Sequence, residues 1–131
     1  MILLDTNVCV RILRGRKDAL EFFSRNAGNV AIPFMVLGEL YYGAGRSKNP
    51  QKGKVAVDRL AQILPIVNST TEIMVKFGML KSDLAAKGMP VEDADVLIAA
   101  TALVHGMPVA TGNVRHFSRF DNLEVIECQE R

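Results

Sequence analysis

The stretch that decides the fold is Met1-Ile2-Leu3-Leu4-Asp5-Thr6-Asn7. Residues 2–4 form a short apolar run typical of a buried strand, and a carboxylate with two polar residues follows directly. Because open α/β sheets bind ligands at the carboxyl ends of their strands, Asp5 is predicted to lie in such a crevice. Asp5 is also a suitable helix cap, but Thr6 or Asn7 is expected to cap the next helix, which leaves Asp5 for function.

Two further acids lie inside apolar sequence. Glu39, in Leu37-Gly38-Glu39-Leu40, is predicted to lie in a helix that begins near Phe34, and it faces either the core or solvent. In the run Asp93-Ala94-Asp95-Val96-Leu97-Ile98-Ala99-Ala100, Asp93 is the predicted N-cap and Asp95 is predicted to face inward. Three carboxylates from distant parts of the chain can bind a hard cation if the fold brings them together.

Short strand patterns alternate with helical patterns along the chain. Strands are predicted at residues 2–4, 30–33, 63–67, 108–110 and 124–126. Helices are predicted from a cap at Thr6 or Asn7 to about residue 13, then over residues 19–25, from residue 34, over 54–62, from about 70 to 88 and over 93–105, with a flexible loop at 45–53. This alternation predicts an α/β fold with a parallel sheet of about five strands that is covered on both sides.

Composition predicts one domain over residues 1–131, with 49% hydrophobic residues to form its core. A net charge of +2 neither requires nor excludes a nucleic acid partner. Absence of a signal-like or membrane-spanning apolar segment predicts a cytoplasmic protein with no membrane partner. Basic residues fall in two clusters, each typical of a solvated face or of phosphate attraction: Arg11, Arg14, Arg16 and Lys17, then Arg46, Lys48, Lys52 and Lys54.

The ordered motifs resemble those of a PIN domain, and more narrowly the VapC toxins of toxin–antitoxin pairs. They are Leu4-Asp5-Thr6-Asn7, Gly38-Glu39-Leu40, residues 95–100 with Gly106, and Thr111-Gly112-Asn113 with Phe117. The resemblance implies a three-layer α/β/α sandwich and a Mg²⁺- or Mn²⁺-dependent endoribonuclease. It also implies a homodimer that cleaves RNA and is held inactive by a small VapB-like antitoxin.

Carried over residue by residue, the family's metal-binding acids fall on Asp5, Glu39 and Asp95. A fourth acid is frequent after the fourth strand of such proteins, and Asn113 stands there as a catalytic residue without charge. His116 follows that strand and is expected near the site. Residues expected to contact substrate, with Arg14 and Arg46 as further phosphate contacts, are Thr6, Asn7, Arg11, Thr111 and Arg115.

The sequence leaves two alternative functions open. A phosphatase with an aspartyl nucleophile also begins with an acid after its first strand, but it usually carries a second acid two residues later, where this chain has Asn7. The second alternative is a PIN-like module that binds RNA or a protein partner without cutting. The missing fourth acid favours that module, and three buried acids, each costly without a cation, oppose it.

Overall fold

The computed structural model describes residues 1–128, which form five strands and seven helices. The strands are β1 (Ile2–Leu4), β2 (Val30–Pro33), β3 (Ile66–Val67), β4 (Val109–Thr111) and β5 (Val125–Glu127). The helices are α1 (Thr6–Leu13), α2 (Lys17–Arg25), α3 (Phe34–Gly45), α4 (Pro50–Ile63), α5 (Thr71–Ala86), α6 (Asp93–His105) and α7 (Val114–Phe117).

The five strands form one parallel sheet in the order β3-β2-β1-β4-β5. The first strand lies at its centre, since Leu3 pairs with Ala31 on one side and with Val109 on the other. Because every strand runs the same way, all five carboxyl ends lie at one edge of the sheet, with β1 in the middle. Helices flank the sheet, which confirms the predicted α/β sandwich.

Burial explains why these short segments become strands. Every residue of β1, β2 and β4 is buried, and parallel strands covered on both faces require such continuous apolar runs. Helix α6 is also buried over residues 96–102, so it packs within the core. Its last turn ends at Gly106, whose φ of 65° is the left-handed conformation that closes helices.

Several predicted boundaries were wrong. Residue 63 ends α4 rather than opening a strand, so the third strand is only Ile66–Val67. Helix α4 begins at Pro50, because the side chain of Asn49 accepts a hydrogen bond from Lys52 N at 3.1 Å, and the predicted loop at 45–53 is therefore shorter. Helix α2 begins two residues earlier than predicted, and β4 and β5 each lie one residue later.

Two helix caps also differ from the prediction. Asp5 itself caps α1, since its Oδ1 accepts a hydrogen bond from Thr6 N at 2.8 Å. Asp93 is the first residue of α6 rather than its cap, and its exposed carboxylate pairs with Lys81 Nζ at 3.0 Å. The N-cap position belongs to Glu92, whose side chain makes no capping hydrogen bond.

No helix within residues 1–128 is both long enough and apolar enough to cross a membrane.

Candidate active site

The three predicted acids converge on one pocket at the carboxyl edge of the sheet. Asp5 comes from the end of β1, Glu39 from the middle of α3 and Asp95 from the first turn of α6. The pocket has a volume of about 460 Å³ and is open to solvent. Its other lining residues are Thr6, Asn7, Val10, Arg11, Arg14, Glu92, Asn113 and His116.

Asp5 is held in place by three hydrogen-bond donors. Its Oδ1 accepts from Thr6 N, and its Oδ2 accepts from Thr111 Oγ1 at 2.7 Å and from Asn7 Nδ2 at 3.3 Å. The residue is only 6% exposed. Asn7 in turn accepts a hydrogen bond from Gly112 N at 2.9 Å, so the loop after β4 is tied to the first turn of α1.

Glu39 lies on the face of α3 that meets α1. Its Oε1 accepts a hydrogen bond from Thr6 Oγ1 at 2.8 Å, and the side chain is partly buried at the pocket wall. The sequence left open whether Glu39 faces the core or solvent, and the structure places its side chain in the lining of the pocket. Its other carboxylate oxygen has no hydrogen-bond partner within residues 1–128.

The side chain of His116, in helix α7, reaches Asp95. Its Oδ2 lies 3.1 Å from His116 Nδ1, and the same nitrogen lies 3.0 Å from Asn113 Nδ2. The Asp95 side chain is 19% exposed and the His116 side chain is 44% exposed. The structure therefore places His116 in direct contact with one of the three acids.

The electrostatics of the pocket disfavour negative charge. Burial raises the pKa of Asp5 above its ordinary value, and the nearby Asp95 raises it further, while the hydrogen bond from Thr111 opposes the shift. Burial likewise raises the pKa of Asp95, with smaller contributions from Glu92 and Glu39 and an opposing one from His116. Because carboxylates in a partly buried pocket repel one another, such a pocket favours a bound cation.

The donor set fits a hard divalent cation. Three carboxylates supply oxygen ligands of the kind that Mg²⁺ and Mn²⁺ prefer. Over residues 1–128, however, no three His, Cys, Asp or Glu side chains already lie close enough together to enclose an ion.

Most of the residues expected to contact substrate make other contacts in the structure. Thr6 and Asn7 bind the carboxylates of Glu39 and Asp5. Thr111 is fully buried against Asp5, which leaves it no surface for a substrate. Arg115 is exposed and is not part of the pocket lining.

Two of the predicted basic contacts do line the pocket. Arg11 reaches it, but its guanidinium is paired with Asp18 and donates to Cys128 O at 3.1 Å. Arg14 lines the pocket as well, is exposed and has no ion pair within residues 1–128. Arg46 caps the end of α3 and lies outside the lining.

The sequence missed the hydrogen bonds that hold the acids. A contact such as Thr111 to Asp5 joins residues 106 positions apart, and no local pattern predicts it. The only available signal was the run Thr111-Gly112-Asn113 after a predicted strand, which pointed to the correct loop. Glu92 is exposed and also lines the pocket, and it was not among the predicted site residues.

Known proteins are similar to this chain in sequence and in fold. The family model of the PIN domain matches residues 2–123. The tRNA(fMet)-specific endonuclease VapC of Salmonella typhimurium is 31% identical over 94% of each chain, and ribonuclease VapC2 of Rickettsia felis is 31% identical over 92% of each.

Solved structures are also similar to this chain in fold. A chain of DNA-bound VapBC from Salmonella typhimurium superposes with a TM-score of 0.92 at 29% identity, covering 98% of each chain. A chain of VapBC2 from Rickettsia felis bound to a promoter DNA fragment gives a TM-score of 0.91 at 28% identity, covering 98% of this chain and 100% of that one. Family model, relatives and fold therefore agree that this chain belongs to the PIN domain family.

Proposed function

We propose that this protein is a metal-dependent endoribonuclease, the toxin of a VapBC-type toxin–antitoxin pair. The observation that carries the proposal is the convergence of Asp5, Glu39 and Asp95, from three distant segments, on one solvent-open pocket. The relatives named as VapC ribonucleases match nearly the whole chain, which supports the same activity here. We further propose that residues 1–131 act as a single PIN domain.

Asp5, Glu39 and Asp95 are the proposed ligands of the cation, and Asn113 is a neutral residue at the same pocket. When bound, a divalent cation neutralises the carboxylates, activates water and stabilises the charge that develops on the phosphate during the reaction. Oxygen ligands favour Mg²⁺ or Mn²⁺ as that cation.

The chain's own residues position the reaction. Hydrogen bonds from Thr6 and Thr111 fix the carboxylates of Glu39 and Asp5, both of which line the pocket. Arg14 offers an exposed positive charge beside the acids, where it can bind a phosphate next to the one attacked. We propose hydrolysis by water that breaks the bond from phosphorus to the 3′ oxygen, which leaves a 5′-phosphate and a 3′-hydroxyl.

The proposed partners are RNA, a small VapB-like antitoxin and a second copy of this chain. The solved structures with the same fold are described as VapBC complexes, which supports an antitoxin partner here. RNA as substrate is supported by the names of the relatives, one of which is specific for an initiator tRNA.

Cleavage of purified cellular RNA by the isolated protein tests the proposal. Reactions with Mg²⁺, Mn²⁺ or EDTA are compared for the wild-type protein, Asp5→Asn and Asp95→Asn, with Asp93→Asn as the matched control because Asp93 is exposed and points to Lys81. We expect metal-dependent cuts from the wild type and Asp93→Asn and at least about a hundredfold slower cutting by the two site variants. Equal cutting by wild type and both site variants would place the activity elsewhere.

One observation favours a second candidate, a PIN module that binds RNA without cutting it. Among residues 112–128, no Asp or Glu lines the pocket, and Asn113 and His116 stand there instead. Under this alternative the wild-type protein retains RNA in a binding assay but cuts none with either metal.

A further inference from the structure

The imidazole of His116 sits between two neighbours that constrain its proton. Its Nδ1 lies 3.1 Å from Asp95 Oδ2 and 3.0 Å from the side-chain amide of Asn113. An ionised carboxylate only accepts hydrogen bonds, so Nδ1 satisfies Asp95 only if that nitrogen carries the hydrogen. The amide of Asn113 must then turn its oxygen toward Nδ1, because a nitrogen that carries a hydrogen cannot accept one from the amide.

The same short segment also holds Asp5. Asn113 N donates to Thr111 Oγ1 at 2.9 Å, and that hydroxyl donates to Asp5 Oδ2 at 2.7 Å. Residues 111–116 thus reach one carboxylate through a threonine hydroxyl and another through an imidazole. The second of these carboxylates, Asp95, raises the pKa of the first, Asp5.

We propose that His116 is a positioning residue for the metal site, donating from Nδ1 to Asp95 Oδ2 and so leaving Asp95 Oδ1 for the cation. This inference rests on the proposed function, because it concerns the same cation. Within residues 1–128, Asp95 Oδ1 has no hydrogen-bond partner, so it is the oxygen that can bind without losing a contact. A residue that orients a ligand in this way commonly changes metal affinity by about 10–100-fold.

Substitutions at position 116 distinguish an orienting hydrogen bond from direct ligation. In His116→Asn the side-chain amide can place an N–H where Nδ1 stood, whereas in His116→Gln the amide lies one bond further out, near the former Nε2. His116→Ala removes both. His105→Ala is the matched control, since His105 is exposed at the end of α6 and far from the pocket lining.

The test combines calorimetric binding of Mn²⁺ with ¹⁵N NMR of the histidines at about pH 8 in protein to which no metal has been added. We expect Mn²⁺ affinity to fall about 10–100-fold in His116→Ala and His116→Gln and to stay within about threefold of wild type in His116→Asn and His105→Ala. In the spectrum of the wild type, we expect the hydrogen of His116 on Nδ1.

Each other outcome identifies which idea fails. If the wild type binds Mn²⁺ and His116→Ala binds it equally well, the inference is overturned and the proposed function stands. Rescue by His116→Gln but not His116→Asn would make His116 a direct ligand through Nε2 and would also overturn it. If the wild type binds no Mn²⁺, the proposed function fails, and the tautomer in the metal-free protein still decides whether His116 donates to Asp95.

Discussion

Thr111 is the buried contact on which Asp5 depends. Its hydroxyl donates to Asp5 Oδ2 and accepts from Asn113 N, and the residue has no exposed surface. Thr111→Val keeps the shape but removes both hydrogen bonds, so we expect the free energy of unfolding to fall by about 1–3 kcal/mol. We also expect Mn²⁺ affinity to fall about 10–100-fold, because Asp5 loses the donor that orients it.

Urea denaturation and Mn²⁺ calorimetry measure the two effects of Thr111→Val. Thr111→Ser is the control, since it keeps the hydroxyl and removes only a methyl group. A loss of affinity in the serine variant as large as in the valine variant would show that shape, rather than the hydroxyl, matters at this position.

Asp95 is predicted to cost stability in the metal-free protein. Burial raises its pKa in the folded state, so between the ordinary value and the raised one the folded protein binds more protons than the unfolded chain. The free energy of unfolding therefore falls as pH rises through that interval. We expect Asp95→Asn to be more stable than wild type in EDTA at about pH 7.5, and the difference to shrink as pH is lowered toward about 4.

Urea midpoints at several pH values provide the measurement for Asp95→Asn. Asp93→Asn, at the exposed neighbouring site, should lack the gain in stability at neutral pH. A gain for Asp95→Asn that is independent of pH would contradict the assignment of the effect to the carboxylate charge.

Close packing of α3 against α4 depends on Gly53. A Cβ atom at this position would lie 3.0 Å from Ala44 Cβ and 3.2 Å from Ala44 Cα, so backbone would have to move to admit it. We expect Gly53→Ala to lower the free energy of unfolding by about 1–3 kcal/mol, despite the better helix propensity of alanine. Thermal or urea unfolding measures this change.

Gly78 in α5 is the matched control for Gly53, because nothing lies within 4 Å of its added Cβ. There the gain in helix propensity is unopposed, so Gly78→Ala should be about 0.5–1 kcal/mol more stable than wild type. Opposite signs for the two alanines are the expected result, and stabilisation by both would refute the packing argument.

At the level of elements, the sequence predicted most of the fold because each strand is a continuous apolar run and most helices carry an apolar face. It failed where tertiary contacts set the boundary. Strand β3 is shortened because α4 continues to Ile63, and the first turn of α4 depends on Asn49 in a segment that otherwise reads as a loop. The site acids were predictable from their positions, but their orientation was not, since it comes from Thr111 and His116 in a distant loop.

Across the molecule, positive charge is placed beside the acidic pocket. A second cavity of about 440 Å³ shares Val10, Arg14 and Glu39 with that pocket and carries Lys48 and Lys52 at its rim. We expect Lys48→Gln with Lys52→Gln to raise KM for RNA with little change in kcat. The dependence of log affinity on log salt should also become shallower by about 0.7 for each lost contact to single-stranded phosphate.

Cleavage kinetics and binding at several salt concentrations measure these effects. The matched control is Lys76→Gln with Lys87→Gln. These two lysines line a different cavity, of about 590 Å³, together with Pro108 and Glu124. Since Pro108 and Glu124 precede β4 and β5, that cavity lies at the amino edge of the sheet, opposite the acids. A control pair that changes the salt dependence as much as the first pair would contradict a local path for the RNA.

The central position of β1 also governs when activity can arise during synthesis. Translation makes Asp5 long before it makes Val109, where the strand that pairs with β1 on one side begins, and before His116, which contacts Asp95. A nascent chain therefore carries its acids on separate, unassembled segments until β4 and the loop after it have been translated. A product that terminates before this loop lacks the contacts from Thr111 and His116 that hold Asp5 and Asp95, so we expect such a fragment to be inactive as a nuclease.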